Sequence, residues 1–444
     1  MERAQEVQAN LESKYPSFTK LMLRSDVSGG FLLGLPMQFC REHMPKEDKT
    51  MVLVDEDEQA YDTKYLTVEN GLSCGWRGFS LAHDELVEGD VLVFQLVEPT
   101  KFKVYIIRAS KLTEVDGAIS ILNLDCLAKP IDEDLLYDIN PFVRVYKDGR
   151  VERLIGTDFV PASIDPTTGA QSKDIEISHN VSARIYLPKN PNKYRKIPLL
   201  VYFHGGAFFT GSPFNQVYHN HLNSLVSKAN VVAVSVNYRL APEHPLPVGY
   251  EDSWAALKWV ISHSKGNANE TWLKDYADFG HIYLGGDSAG GNIAHNMAMR
   301  VGLDNTNQRI VLDGMFLYSP HFWGKKPIGD EDETKFIYAK RVMESIWIHA
   351  YPNSTGFDDP LVNPAKDPNL SCLGCKRVLI IEGGDEILKD RGFYYKKSLI
   401  ESKWNGVVKV VDVKGEGHDF VIGDSPKAKE MVNHIASFLN QGEV

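Results

Sequence analysis

The chain changes rhythm once along its length. Between about Phe18 and Ala109, short apolar runs rich in Val, Leu, Phe and Tyr alternate with Gly, Asp and Asn clusters; examples are Phe18 to Leu23, Lys64 to Val68, Val91 to Leu96 and Lys103 to Ile107. That spacing predicts a small all-β barrel or sandwich. Two segments break the pattern and read as short helices: Pro36 to His43, with proline at its opening turn, and Ser80 to Leu86. From about Asp134 onward, apolar runs of strand length (Leu199 to Phe203, Val231 to Val236, His281 to Leu284, Val378 to Ile381) alternate with helical patterns such as Tyr250 to His263 and Asn292 to Val301. Strands that are apolar at consecutive positions are buried on both faces, so this half is expected to be a mostly parallel sheet flanked by helices. The expected organisation is multidomain: an all-β domain over 17–111, a linker over 112–133, and an α/β domain over 134–440.

Composition narrows the classes. A chain of 444 residues exceeds what one core usually organises, and 43% hydrophobic with 24% charged residues is globular usage. The polar start from Met1 to Ser17 does not read as a secretory signal. No run of eighteen apolar residues predicts a membrane span. Five cysteines are too few for a disulfide framework, so an intracellular location is expected, in cytoplasm or nucleus. Cys372 and Cys375 form a C-x-x-C with no second pair or histidine at ligand spacing, and read as structural thiols; no metal is implied. A net charge of −11 opposes nonspecific attraction to nucleic acid or anionic membranes.

The chemistry concentrates in the second half. Gly286-Asp287-Ser288-Ala289-Gly290 follows the apolar run His281 to Leu284 and precedes a helical pattern beginning at Asn292. A serine on so tight a strand-to-helix turn is lifted above the sheet edge, the requirement for a nucleophile elbow. Upstream, His204-Gly205-Gly206-Ala207 follows the run Leu199 to Phe203, where backbone N–H groups can meet a developing oxyanion; Gly205, Gly206 and Ala289 are the expected donors. The base should come late, and His418, in the glycine-flanked loop after Val408 to Val413, is the best placed of fourteen histidines. His434, His295 and His219 fall on or near helical patterns and read as packing or surface residues. The acid should sit just past Val378 to Ile381, where Asp385 and Glu386 both qualify.

His204-Gly205-Gly206-Ala207-Phe208, Tyr238-Arg239-Leu240-Ala241-Pro242-Glu243-His244-Pro245 and the Ser288 pentapeptide together resemble the hormone-sensitive-lipase group of α/β-hydrolases, and within it the plant carboxylesterases, 2-hydroxyisoflavanone dehydratases and gibberellin receptors. The receptors lack the triad histidine, which His418 supplies here, and some dehydratases carry Thr at the position of Ser288. The resemblance therefore implies an active serine carboxylesterase acting on small esters without a cofactor; the alternatives are a dehydratase and a non-hydrolytic ligand sensor. Counted without gaps, the family's triad aspartate falls on Glu386, while the aspartate itself stands at Asp385; a one-residue shift would favour Asp385 slightly. The relatives also imply that Glu133 to Arg153 contributes to a cap, and Tyr238 to Pro245 reads as structural.

In the first domain, Leu32 to Pro36, Trp76-Arg77-Gly78-Phe79 and Leu86 to Phe94 resemble the plant B3-type DNA-binding domain, an open β pseudobarrel. The resemblance implies double-stranded DNA as a partner, contacted by arms near Lys20 to Gly30 and Lys64 to Arg77, with Arg24, Ser25, Asn70 and Arg77 in reach of phosphates or bases. Acidic residues outnumber basic ones here, Asp55 to Glu58 in one run, so any DNA-binding face has to concentrate few cations.

Overall fold

In a computed structural model, the chain divides into two compact units, Met1–Glu133 and Asp134–Val444. The structure describes residues 8, 11, 14–22, 33–108 apart from 57, 68–70, 74, 84–85 and 87–89, and 134–440 apart from 266–268, 305–309, 332–335 and 419. The expected linker over 112–133 lies outside the described residues.

Seven strands form the sheet of the first unit: β1 (Ser17–Leu21), β2 (Leu33–Gly34), β3 (Lys49–Val54), β4 (Ala60–Leu66), β5 (Gly71–Leu72), β6 (Val91–Glu98) and β7 (Lys101–Ile107), in spatial order β1-β6-β7-β3-β4-β5-β2. All neighbours are antiparallel except β3 and β7. Aromatic rings fill the interior: Phe18 stacks on Phe94 at 5.0 Å, and Phe94 meets Phe102 edge-on at 5.7 Å. Helix α1 (Met37–His43) lies where the sequence predicts it, whereas α2 spans Trp76–Ala82 and begins four residues earlier than expected. The reason is local. Gly75 takes a left-handed φ of 103° ahead of the helix, and Trp76, Phe79 and Ser80, at helical spacing, turn into the core.

The second unit opens with a three-stranded antiparallel sheet of β8 (Leu135–Ile139), β9 (Val143–Tyr146) and β10 (Val151–Arg153). Its main sheet has eight strands: β11 (Gln171–Ser178), β12 (Val181–Leu187), β13 (Ile197–Phe203), β14 (Val232–Asn237), β15 (Ala277–Asp287), β16 (Leu312–Tyr318), β17 (Arg377–Gly383) and β18 (Val407–Val413). The order is β11-β12-β14-β13-β15-β16-β17-β18, with β11, β12 and β14 antiparallel and every pair from β14 to β18 parallel.

Two-sided burial explains the continuous apolar runs. Along β13, Leu199, Val201 and Phe203 join one core with α4 (Val248–Ser262) and α6 (Ala289–Leu303), while Leu200 and Tyr202 join the other with α3 (Gln216–Ala229) and α9 (Pro426–Asn440). Remaining helices are α5 (Thr271–Tyr276), α7 (Ile337–Ala350) and α8 (Lys389–Glu401). Parallel strands bring their carboxyl ends to one edge, so the loops after β13, β15, β16, β17 and β18 gather there. Among the described residues no helix is long and apolar enough to cross a membrane.

Candidate active site

Ser288 sits between β15 and α6 with φ 49° and ψ −116°, a strained conformation for any residue with a side chain. Two neighbours make the turn possible. A Cβ on Gly290 would run into the carbonyl oxygen of Phe203, and one on Gly286 would lie 2.7 Å from that same oxygen. Gly290→Ala is therefore expected to cost more than about 3 kcal/mol and to prevent folding of this unit. Soluble yield and far-ultraviolet circular dichroism report it, and a well-folded variant would contradict this packing.

The imidazole of His418 follows β18, and its Nδ1 is hydrogen-bonded to Oε2 of Glu386, whose Oε1 accepts the Ser319 hydroxyl. Glu386 is buried, whereas the neighbouring Asp385 side chain is exposed and its amide is tied to the Glu416 carbonyl at 3.0 Å. The slight preference for Asp385 thus does not match the side chains: with no loop shift, the longer carboxylate reaches the imidazole. A narrow cleft is lined by Asp287, Ser288, Tyr318, His418, Val421 and Ile422.

The expected oxyanion donors divide. Ala289 opens α6, where first-turn amides have no intrahelical acceptor. Gly205 points elsewhere: its N–H is shared between Tyr218 Oη at 2.9 Å and Asp287 Oδ1 at 3.0 Å. Gly206 has φ 106°, and neither its amide nor that of Ala207 has a partner among the described residues. The loop's free donors are thus Gly206 and Ala207, one residue later than the sequence suggested.

Asp287, silent in the sequence, anchors this arrangement by accepting from Tyr202 Oη at 2.8 Å, Tyr218 Oη at 2.9 Å and Gly205 N–H. An aspartate inside an otherwise apolar strand end was the available signal, because a buried carboxylate requires donors. Ser319 gave no such signal. His204 stacks on Tyr238 with centroids 4.3 Å apart, and burial pushes its pKa down to about 4. The Tyr238 to Pro245 segment acts as a brace: Tyr238 Oη donates to the His204 carbonyl at 2.6 Å, and the Ala241 amide donates to that of Phe208 at 2.9 Å. Arg153, at the end of β10, donates to the Phe209 carbonyl at 2.7 Å and pairs with Glu243, so the small sheet is tied to the same loop.

The three histidines set aside from the sequence, His295, His219 and His434, lie apart from this constellation. His295 is buried against Tyr395, His219 is held by Arg184, Tyr186 and Asn223, and His434 is beside Glu430 on α9. Cys372 is an exposed free thiol and Cys375 a buried one. Of the suggested DNA contacts, Arg24, Ser25 and Asn70 lie outside the described residues, as does the side chain of Arg77.

A family model described as alpha/beta hydrolase fold matches residues 200–422, half of the chain and all of the loops just described. The chain belongs to the α/β-hydrolase family. A second model, the B3 DNA binding domain, matches residues 18–110. Curated relatives of this hydrolase include plant proteins. The 2-hydroxyisoflavanone dehydratase of Glycyrrhiza echinata is 45% identical over 70% of this chain and 97% of its own length. Probable carboxylesterase 13 of Arabidopsis thaliana is 43% identical over 70% of this chain and 99% of its own. Among solved structures, the hyperthermophilic esterase of the archaeon Pyrobaculum calidifontis superposes with a TM-score of 0.51 at 28% identity, covering 61% of this hydrolase and 85% of that chain.

Proposed function

We propose that residues 134–440 form a serine carboxylesterase that hydrolyses small esters through Ser288, His418 and Glu386. The observation behind this reading is the His418 to Glu386 hydrogen bond beside a strained Ser288 at one cleft. Ser288 attacks the ester carbonyl while His418 takes its proton, and Glu386 stabilises the imidazolium. The amides of Gly206, Ala207 and Ala289 receive the oxyanion. The protonated histidine then releases the alcohol, and water activated by the same imidazole frees the acid.

Ser288→Ala is expected to lower hydrolysis of a short-chain nitrophenyl ester by more than about a thousandfold and to abolish fluorophosphonate labelling. Unchanged hydrolysis by that variant would overturn the assignment. The resemblance to dehydratases favours a second reading, in which the pocket eliminates water from a flavonoid-like substrate. Product mass separates loss of water from loss of an acyl group.

For the first unit we infer double-stranded DNA as the partner, on the strength of the B3 match. Lys49, Lys101, Lys103 and Arg108 are each paired with a carboxylate, from Glu47, Glu98, Glu58 and Asp90 respectively. Phosphate contact therefore falls to the arms rather than to these strands. Retention of the full chain on random-sequence duplex at low salt, lost at high salt, is the expected result; no retention at low salt counts against it.

A further inference from the structure

Below the triad lies a second carboxyl. Glu382, at the end of β17, is fully buried, and neither of its carboxyl oxygens has a hydrogen-bond partner among the described residues. The groups that bear on it are the Ser319 hydroxyl and three carboxylates: Glu386 on the loop after β17, Asp412 on β18 and Asp390 in the first turn of α8. Gly392 of α8 presses so close that a Cβ there would overlap the Glu382 Oε1. Among these groups there is no cation.

Ser319 has a single hydroxyl proton, and it is given to Glu386. With that proton on Glu386, the Ser319 oxygen keeps lone pairs able to accept from Glu382; swung toward an ionised Glu382 instead, the same hydroxyl lowers that carboxyl's pKa, an effect smaller than the burial and Glu386 charge that raise it. An ionised Glu382 would sit fully buried beside the charge of buried Glu386, with the outlying Asp412 and Asp390 adding less, whereas a protonated Glu382 has an O–H to donate. Burial and the charge of Glu386 also raise the Glu382 pKa well above the ordinary carboxylate range.

We propose that Glu382 is a positioning residue that keeps its carboxyl proton and donates it in a hydrogen bond to Ser319, fixing the Ser319 proton on Glu386 and Glu386 on His418. The chain reads Glu382 to Ser319 to Glu386, with His418 donating to the other oxygen of Glu386. No proton leaves its atom, and the acid that orients the catalytic imidazole is held from both sides as an anion. The inference rests on the esterase reading above.

The test uses the full-length protein and a nitrophenyl ester, comparing Glu382→Gln, Glu382→Met, Ser319→Ala and the Glu382→Met/Ser319→Ala double variant. Gln is neutral and retains a donor, so it is expected to hold kcat within about twofold and to leave the acid limb of the kcat/KM pH profile in place. Met fills the space without a donor and is expected to lower kcat about tenfold at unchanged KM, the size of one buried hydrogen bond. Its melting temperature should stay close to that of the parent, since the lost hydrogen bond is offset by removing a buried carboxyl whose second oxygen has no partner among the described residues. A structural role predicts the opposite pairing, with stability and activity falling together. The double variant should lose no more activity than the worse single variant, because both cut the same chain.

Equal behaviour of the Gln and Met variants overturns the proposal, as does a Gln variant that moves the acid limb, which would mean that Glu382 is charged. Ser288→Ala run alongside keeps the two questions apart. Hydrolysis surviving in that variant sinks the esterase reading, whereas hydrolysis lost there but indifferent to Glu382 sinks only this inference.

Discussion

Glu386→Gln is expected to lower kcat by about ten-thousandfold with little change in KM, because an amide in place of the carboxylate no longer stabilises the imidazolium and can present its NH₂ to Nδ1, favouring the wrong tautomer. Asp385→Asn is expected to stay within about twofold of the parent, since that side chain is exposed and only its amide is tied to Glu416. Steady-state kinetics on the two variants decides between adjacent carboxylates, of which the sequence slightly favours Asp385. A severe defect in Asp385→Asn with a mild one in Glu386→Gln would reverse the assignment.

Acid is expected to unfold the hydrolase unit sharply. Burial pushes His204 and His221 down to about 4, and His295 and His321 down to about 3. An unfolded histidine titrates near 6.5, so between that pH and 4 the unfolded chain binds protons that the folded chain refuses. Stability therefore rises with pH in this window and is lost as pH falls through it. Each such histidine contributes a slope approaching about 1.4 kcal/mol per pH unit, and at pH 5 the loss is roughly 2 kcal/mol apiece. Four together are comparable with the whole stability of a typical domain. Glu382 and Glu331, whose pKa values are raised chiefly by burial, act with the opposite sign and offset part of this. Urea unfolding followed by tryptophan fluorescence at pH 7, 6 and 5 should show the midpoint falling at each step. A midpoint that is flat or rises toward acid would mean that these imidazoles are hydrated in solution.

The parallel sheet was legible because strands buried on both faces leave an unmistakable trace; the run Leu199 to Phe203 has no polar position to spare. The elbow was legible for a related reason, since only glycines fit around Ser288. What escaped was orientation. Glu386 and Asp385 differ in which way a loop residue turns, and spacing carries no record of that. Gly205 was expected to donate to the oxyanion because it belongs to the right loop, but a backbone amide's direction depends on the φ of Gly206 and on Asp287 across the site. Helix α2 was displaced in the reading because Gly78 interrupts an apolar pattern that tertiary packing of Trp76 and Phe79 restores. Glu382 was hidden at the end of an apolar strand, where a polar residue ordinarily marks the return to solvent. Its burial is decided by α8 closing over it through Gly392, a contact between residues ten apart that no local pattern records.

Asp287 joins the loop after β13 to the turn that carries the nucleophile, taking one amide and two phenols into a single buried carboxylate. The donors for the oxyanion and the serine that creates it are consequently set in place when the chain folds, and no part of a substrate's affinity is needed to assemble them. An ester gains nothing on this side of the cleft by being larger or better fitted. Under the esterase reading, selectivity among esters is left to the remaining lining, where Tyr318, Val421 and Ile422 meet the cleft.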